Sequence, residues 1–411
     1  MLRYALLILS LLILPSAVLA KADRGSEPVI LVSFDGFHPS YLDRGVTPNL
    51  SRLAKHGVTG QMRPSFPSKT FPNHWTLVTG LVPDHSGLVG NRFEDPRRPG
   101  VIFTMADDDP FWWNEGEPIW AAAEKAGIRT ATMFWPGSNV AWGGVLPRPR
   151  AMTEGGVRPQ DWLQFNQAVS NTQRVNTVLD WLRRPEAIRP RLITLYFDLI
   201  DTAGHEFGPD DPRMAGVIAD ADRIVGELVA GIHTLGLKPN LILVSDHGMA
   251  ATSSERVIRL DQLADPALYR VVESGPYAAL EPTPGNAERL WAALAVAGTH
   301  HRCWRRAEVP ERLRYGRNPR TPSILCLADP GWLLEPGAPK QAFSGGAHGY
   351  DPAAPEMASL FVASGPAFAS GKHLPAFDNV DIAPLLRSLL GLPAATRSDG
   401  TAETFRGVVR Q

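Results

Sequence analysis

The sequence predicts an α/β protein with a mostly parallel central β-sheet flanked by helices. Short, continuous apolar runs recur along the chain, and amphipathic stretches of helical length separate them, as is typical of βαβ units. An acidic residue follows three of these runs, and ligands of open α/β sheets bind beyond the carboxyl ends of the strands. The 411 residues, 44% of them hydrophobic, are enough to bury the core that such a sheet requires.

The predicted elements follow one another in a regular order. The first strand is predicted at residues 28–34, where a continuous apolar run ends in Asp35 and Gly36, a pattern suited to a strand buried on both faces. A helix should begin at Thr47-Pro48 and end at Gly57. Further helices are predicted at residues 119–125, 171–182 and 214–235, and further strands at residues 129–134, 192–197, 241–245 and 359–363. Residues 81–93 are interpreted as a loop.

The stretch from Pro64 to Trp75 is predicted to place a nucleophile at the start of a helix. Thr70 has the side chain of an N-cap residue, Pro72 stands where a missing N–H is harmless, and Gly80 ends the helix. The positive end of a helix, roughly half an elementary charge, favours an alkoxide or a bound phosphate. A plain structural cap is the alternative, so the catalytic interpretation requires metal ligands elsewhere.

Residues 251–340 differ in composition from the rest of the chain, with many prolines and arginines and a short predicted helix at residues 287–296. We expect a small α+β lobe, inserted before the central sheet resumes. The chain's two cysteines, Cys303 and Cys326, lie in this segment. In an oxidising compartment such a pair is expected to form a disulfide, with two separate buried thiols as the alternative.

Residues 1–20 are predicted to be a signal peptide. Arg3 precedes an apolar run, and Val18-Leu19-Ala20 has the small-residue pattern of a signal-peptidase site. A retained anchor is the alternative, but the run is shorter than the roughly twenty residues that span a bilayer. The sequence therefore predicts a secreted or periplasmic protein, starting at residue 21, without a stable membrane anchor. A net charge of −1 argues against a protein that binds nucleic-acid backbones, whereas small phosphorylated substrates remain compatible.

Carboxylates and histidines recur where the predicted strands end. Asp35, Asp201 and Asp246 each follow a predicted strand, so their side chains should meet at one edge of the sheet. Carboxylate and imidazole ligands together are typical of zinc, although any one Asp-His pair is more often a solvated loop. Counting ligands predicts two zinc ions, one held by Asp35, Thr70, Asp246 and His247 and the other by Asp201, His205 and His348.

Such a pair of metals predicts phosphoryl chemistry. Two zinc ions about 4 Å apart hold the attacking and leaving oxygens of an in-line displacement. Thr70 would attack phosphorus, and water would hydrolyse the resulting phosphothreonine or nucleotidyl-threonine. Asn91 would donate to a phosphoryl oxygen together with the N–H of Phe71, although Asn91 could also be an ordinary turn residue.

Eight short motifs spread over the chain resemble those of the nucleotide pyrophosphatase/phosphodiesterases of the alkaline phosphatase superfamily. They are residues 33–37 (SFDGF), 47–50 (TPNL), 69–74 (KTFPNH), 90–91 (GN), 134–138 (FWPGS), 201–205 (DTAGH), 245–249 (SDHGM) and 346–350 (GAHGY). The resemblance implies an alkaline-phosphatase-like fold over residues 21–411, two catalytic zinc ions and release of nucleoside 5′-monophosphates through a threonine intermediate. Trp75 departs from the family, which often has tyrosine there.

The resemblance also implies aromatic residues that stack on the base. The matching positions are Phe71, Phe165 and Tyr196, for which ordinary core packing is the alternative. Because stacking tolerates any base, nucleoside triphosphates, dinucleotides and nucleotide sugars are all expected substrates. Rival hypotheses are a choline-lipid phosphodiesterase, a phosphomonoesterase of the same superfamily and a non-catalytic metal-stabilised binding module.

Overall fold

The computed structural model describes residues 27–147, 152–296 and 298–410 of the chain. The predicted signal peptide lies outside these residues. Over the described ranges, no helix combines the length and the apolar character needed to cross a bilayer.

The described residues form a chain of strands and helices that alternate over much of its length. The strands are β1 (Val29–Phe34), β2 (Val58–Arg63), β3 (Phe93–Glu94), β4 (Ile102–Phe103), β5 (Thr130–Met133), β6 (Asp161–Leu163), β7 (Leu192–Phe197), β8 (Asn240–Val244), β9 (Ala250–Ser253), β10 (Val257–Arg259), β11 (Tyr269–Glu273), β12 (Tyr277–Pro282), β13 (His301–Arg305), β14 (Ile324–Ala328), β15 (Leu333–Glu335), β16 (Ser344–Ala347), β17 (Ser359–Ser364), β18 (Lys372–His373) and β19 (Phe377–Asp378). The α-helices are α1 (Pro48–His56), α2 (Thr70–Thr79), α3 (Pro83–Ser86), α4 (Pro110–Trp113), α5 (Ile119–Lys125), α6 (Asn171–Arg183), α7 (Leu199–Phe207), α8 (Met214–Thr234), α9 (Leu260–Leu263), α10 (Ala287–Leu294) and α11 (Ile382–Leu390).

The central sheet has the strand order β18-β2-β17-β8-β1-β7-β5-β6, and β19 also pairs with β2. β17 is antiparallel to both of its neighbours, whereas the other pairings are parallel. The predicted mostly parallel α/β sheet is thereby confirmed.

β1 lies between β8 and β7 and is buried on both faces. Val29 and Leu31 belong to a core shared with α2, α5 and α11, and Ile30 and Val32 belong to a second core shared with α1, α6 and α8. Successive side chains of a strand point to opposite faces, so a strand covered on both sides must be apolar throughout. This requirement explains the continuous apolar run of the sequence.

The predicted elements differ from the structure mainly where the sequence lacks a continuous apolar run. Their bounds agree within one or two residues, but residues 81–93, interpreted as a loop, contain α3. β2 and α11 were not predicted. In β2, buried positions alternate with more accessible ones, so the strand has no continuous apolar run.

The start of α2 corrects a further prediction. Thr70 is the first residue of the helix and Lys69 occupies the N-cap position, so the assignment of Thr70 as the N-cap is wrong by one residue. The N-cap position makes no side-chain capping hydrogen bond, and the Thr70 hydroxyl contacts His247 instead. Gly80 ends the helix in the left-handed conformation, as predicted.

Residues 251–340, for which an inserted α+β lobe is predicted, contain an antiparallel sheet in the order β11-β12-β14-β13, with α10 packed against it. Cys303 and Cys326 lie directly opposite each other on β13 and β14 and are joined by a disulfide, as predicted. Two buried charged residues attach the lobe segment to the core. The carboxylate of Asp84 accepts hydrogen bonds from the backbone of residues 316–318, and Arg320 donates to Asp95 at 2.7 Å.

Candidate active site

Three neighbouring strands bring the predicted carboxylates together. Asp35 follows β1 directly, Asp246 comes shortly after β8, and α7 begins just after β7. These strands are adjacent and parallel, so their carboxyl ends share one edge of the sheet. Asp201, predicted to follow β7, lies in the first turn of α7, and His205 lies one turn further on the same face.

The pairing of two short strands positions His348, the third histidine of the site. Ala347 at the end of β16 pairs with Ala250 at the start of β9, and this pairing places His348 beside His247. The two imidazole rings stack with their centroids 3.5 Å apart. Residues separated by about a hundred positions therefore meet across the site.

Two adjoining groups of side chains have the geometry to hold metal ions. In each group, one ligand atom from each residue lies within 4.8 Å of the others. The first metal group consists of Asp35, Asp246 and His247, and the second metal group consists of Asp201, His205 and His348. These are the two sets that the sequence predicts, with Thr70 as a fourth member of the first.

The hydrogen bonds of the histidines leave one nitrogen of each ring free to bind a cation. The Nδ1 atoms of His205, His247 and His348 donate to the carbonyl oxygens of Gly346, Gly248 and Ser68 at 2.8, 2.9 and 2.9 Å, respectively. Each Nε2 is therefore unprotonated in the neutral ring, and a backbone partner of this kind is typical of metal-binding histidines.

The unprotonated nitrogens face carboxylate oxygens. His247 Nε2 lies 3.0 Å from Asp246 Oδ2 and 3.4 Å from Asp35 Oδ1, and His205 Nε2 lies 3.4 Å from Asp201 Oδ1. These three carboxylate oxygens are buried and have no hydrogen-bond partner among the described residues. Lone pairs that face one another at this distance repel unless a proton or a metal ion lies between them, so the residues fit bound metal.

The pKa values of the metal-free site agree with this need for positive charge. Burial raises the pKa of Asp35 well above the ordinary carboxyl range, and the charges of Asp246 and Asp201 raise it further. Burial also acts to raise the pKa of Asp246, but His247 and His74 outweigh it and hold that pKa well below its usual range. A divalent cation would stabilise both carboxylates in the charged form.

Thr70 lies at the boundary of the first metal group. Its Oγ1 is 3.3 Å from His247 Nε2, at the N-terminus of α2. His74, one turn along the same helix and fully buried, donates from Nδ1 to the Thr70 carbonyl oxygen at 2.9 Å, and its Nε2 accepts from the Ser33 hydroxyl at 2.9 Å. His74 had no predicted role, although its spacing of four from Thr70 on a helix could have indicated one.

The Asn91 side chain is held against the start of α2. Its Oδ1 accepts a hydrogen bond from the Phe71 N–H at 3.0 Å. The Phe71 N–H was predicted to donate to a phosphoryl oxygen. In the structure it donates to Asn91 instead. The hydrogen bond orients the amide, and its Nδ2 becomes the donor available to a ligand.

A cavity of about 590 Å³ opens beside the metal groups. The predicted substrate residues Phe71, Asn91, Phe165 and Tyr196 all line it, together with Thr70. Phe165 is 45% exposed, so part of its ring is accessible to a flat ligand. Trp75, by contrast, is buried against Trp113 and Trp120 and contributes to the core.

Tyr196 has a contact that the sequence did not predict. Its side chain is only 9% exposed, and its hydroxyl donates to Asp35 Oδ2 at 2.7 Å. The hydrogen bond leaves Asp35 Oδ1 directed at His247. Tyr196 therefore orients a candidate metal ligand, a role separate from the predicted stacking on a base.

Replacing Tyr196 by phenylalanine is expected to weaken zinc binding by about 10- to 100-fold, because partners that orient metal ligands contribute to affinity on this scale. Competition with a chromophoric chelator measures the affinity. Tyr315→Phe is the matched control, since the buried Tyr315 hydroxyl donates to the Val89 carbonyl at 2.8 Å, away from the metal groups. Equal zinc affinity in Tyr196→Phe and the wild type would contradict the assigned role.

A parallel sheet of this kind, with carboxylates and imidazoles gathered where its strands end, defines an alkaline-phosphatase-like hydrolase that acts on phosphoryl groups. The chain belongs to the type I phosphodiesterase / nucleotide pyrophosphatase family, whose model matches residues 29–351. It is accordingly a nucleotide pyrophosphatase/phosphodiesterase enzyme.

Similar proteins cover most of the chain. The bis(5′-adenosyl)-triphosphatase of Xenopus laevis is 35% identical over 381 residues, which make up 90% of this chain and 80% of the frog protein. An uncharacterised pyrophosphatase/phosphodiesterase of Schizosaccharomyces pombe is 35% identical over 396 residues, covering 91% of this chain and 79% of the yeast protein. The structure of human ectonucleotide pyrophosphatase/phosphodiesterase 5 superimposes with a TM-score of 0.87 at 34% identity, covering 94% of this chain and all of the human chain.

Proposed function

We propose that this enzyme hydrolyses phosphodiester and pyrophosphate bonds of small nucleotides and releases nucleoside 5′-monophosphates through a covalent intermediate on Thr70. The observation that carries the proposal is the position of the Thr70 hydroxyl, 3.3 Å from His247 Nε2 at the wall of a cavity lined by aromatic residues. A murine relative, 34% identical, supports it, because a threonine-to-alanine variant described as inactive was solved in complex with AMP.

Zinc is the metal that the donor atoms favour. Both groups combine carboxylate oxygens with imidazole nitrogens, a mixed donor set typical of zinc rather than of magnesium or calcium. Asp35, Asp246 and His247 with the Thr70 oxygen would provide four ligands for one ion, and Asp201, His205 and His348 would leave a position open on a second. Bound zinc would lower the pKa of the Thr70 hydroxyl and neutralise the negative charge that develops on the phosphoryl and leaving oxygens.

Several residues of the cavity each have a separate role in the proposed reaction. The Thr70 hydroxyl loses its proton to solvent, Oγ1 forms a bond to phosphorus as the bond to the leaving oxygen breaks, and the leaving oxygen takes up a proton from solvent. Asn91 Nδ2 donates to a phosphoryl oxygen while the Phe71 N–H holds the amide in place. Phe71 and Phe165 stack on the base and position the phosphoryl group for attack. Water then hydrolyses the bond to Thr70.

The expected substrates are nucleoside triphosphates, dinucleotides and nucleotide sugars. The name of the frog relative, a bis(5′-adenosyl)-triphosphatase, supports this class. Export through the segment at residues 1–20 would bring the enzyme to extracellular or periplasmic nucleotides, where it would act without a stable membrane anchor.

The walls of the cavity disfavour a phosphomonoesterase. A phosphomonoester carries an additional negative charge that needs further cationic contacts. Among the described residues that line the cavity there is neither lysine nor arginine, whereas Asp107 and Asp198 contribute carboxylates.

Three nitrophenyl substrates test the proposal. We expect kcat/KM for 4-nitrophenyl thymidine 5′-monophosphate to exceed the values for 4-nitrophenyl phosphate and 4-nitrophenyl phosphorylcholine by about ten-fold or more, since stacking of one base is worth 1–3 kcal/mol. The release of nitrophenolate measures all three. A preference for the monoester would support the phosphomonoesterase, and a preference for the choline ester would support the choline-lipid phosphodiesterase. If none of the three substrates is hydrolysed, the non-catalytic binding module is the hypothesis that remains.

A further inference from the structure

We infer that Asp198 is a specificity-determining residue, a cavity carboxylate that accepts a hydrogen bond from a donor group on the nucleoside. The inference rests on the proposed function and narrows its substrate class. Stacking alone would admit any nucleotide, whereas Asp198 would favour those with a hydroxyl or amino donor at the right position.

Asp198 lines the same cavity as residues of both metal groups and several aromatic side chains. It follows β7 directly and precedes the first residue of α7, the helix that contains Asp201 and His205. Its side chain is 18% exposed and lines the same cavity as Phe71 and Phe165. A ligand with its phosphoryl group at Thr70 and its base on Phe165 therefore shares the cavity with this carboxylate.

A buried arginine holds Asp198 in place. Arg174 on α6 is 2% exposed, and its Nη1 donates to Asp198 Oδ1 at 2.8 Å and to the Tyr196 carbonyl oxygen at 3.2 Å. The Cζ atom of the Arg174 guanidinium lies 5.5 Å from the ring centroid of Phe165. The guanidinium of Arg174 thus contacts both the Phe165 ring and the Asp198 carboxylate and fixes their relative positions.

The contacts of Asp198 leave room for a ligand. Oδ1 accepts from Arg174, and Oδ2 accepts from Gln167 Nε2 at 3.2 Å. A carboxylate has about four acceptor sites, so capacity remains on the side that faces the cavity. Because a carboxylate only accepts, and because it repels phosphate, its partner must be a donor on the nucleoside end of the substrate.

Two parts of a nucleoside carry such donors, the ribose hydroxyls and the exocyclic amino group of the base. A site built to accept a hydrogen bond rejects an analogue without the donor more strongly than an apolar wall rejects a change of shape, because the buried acceptor loses its partner. Discrimination between analogues therefore reveals which donor Asp198 binds.

The test compares four triphosphates on the wild-type enzyme, ATP, 2′-deoxy-ATP, 3′-deoxy-ATP and purine riboside triphosphate, by chromatography of the released monophosphate. We expect kcat/KM to fall about ten-fold or more for at least one analogue. A fall for a deoxy analogue assigns the donor to ribose, and a fall for purine riboside assigns it to the base. Equal values for all four substrates would overturn the inference.

Variants connect the effect to Asp198. In Asp198→Asn, which keeps an oxygen for Arg174, the ratio between ATP and the discriminated analogue should shrink several-fold. Asp180→Asn is the matched control, because Asp180 pairs with Arg183 on the exposed surface of α6, and its ratio should equal that of the wild type. An unchanged ratio in Asp198→Asn would overturn the inference.

Hydrolysis of bis(4-nitrophenyl) phosphate by the wild type separates this inference from the proposed function. If the wild type hydrolyses this diester and the nucleotides without discrimination, the inference fails and the proposed function stands. If it hydrolyses neither the diester nor any nucleotide, the proposed function fails and the inference fails with it.

Discussion

Replacing Thr70 by alanine is expected to lower kcat for nucleotide hydrolysis by at least about 1,000-fold, because the variant lacks the oxygen that is proposed to bond to phosphorus. The protein should still bind both zinc ions, since Asp35, Asp246 and His247 remain as three ligands of the first site. Steady-state kinetics and elemental analysis of the purified variant measure the two quantities side by side.

Thr70→Ser is the matched control for this experiment. Serine keeps the hydroxyl at the first position of α2, so a substantial fraction of the activity should survive. Mass spectrometry of acid-quenched wild type should also detect a nucleotidyl adduct on the peptide that contains Thr70. Wild-type activity in Thr70→Ala would exclude Thr70 as the nucleophile, and loss of both zinc ions would mean that the variant reports on metal binding instead.

Removal of metal should abolish activity and also destabilise the protein. Asp35, Asp201 and Asp246 each have a buried oxygen with no hydrogen-bond partner in the described part of the chain, so chelation would leave their charge without a compensating cation. A ligand at 100 times its Kd stabilises the native state by about 2.7 kcal/mol, so the melting temperature should rise again when zinc is added back. Activity assays and thermal unfolding on the same chelated sample measure both effects.

Magnesium provides the control for metal identity. Because it prefers oxygen ligands and near-octahedral geometry, it should restore little activity at sites with imidazole nitrogen donors. Full activity in a sample that elemental analysis shows to be free of metal would contradict the two-metal proposal. Recovery with magnesium alone would keep the metal requirement but exclude zinc as the necessary ion.

Much of the fold could be predicted because each element satisfies a local requirement. The segment from Val29 to Phe34 is buried on both faces of the sheet, and only a continuous apolar run meets that condition. α6 has a capping box at Ser170 and Gln173 and an apolar stripe that faces the core, and both are visible in the sequence. β2 was missed because its side chains alternate around Gly60 and its burial depends on its neighbours.

The ligand groups were predictable for a topological reason. Parallel strands end at the same edge of a sheet, so an acidic residue after each of three strands indicates one location before any coordinates are known. The sequence could not place Asp201 and His205 on one face of a helix, since the start of α7 has no capping side chain to mark it. It also assigned the Phe71 N–H to the substrate, whereas Asn91 engages it.

The sequence by itself determined the class of the fold, the chemistry of the candidate ligands and the candidate nucleophile, because these depend on residue type and on short-range pattern. Only the tertiary structure decided how side chains distant in the chain orient one another. The hydroxyl of Tyr196 reaches Asp35 across 161 positions, and the guanidinium of Arg174 joins Asp198 to the ring of Phe165. Such contacts depend on directions in space that no local pattern encodes, and they set the shape and polarity of the cavity.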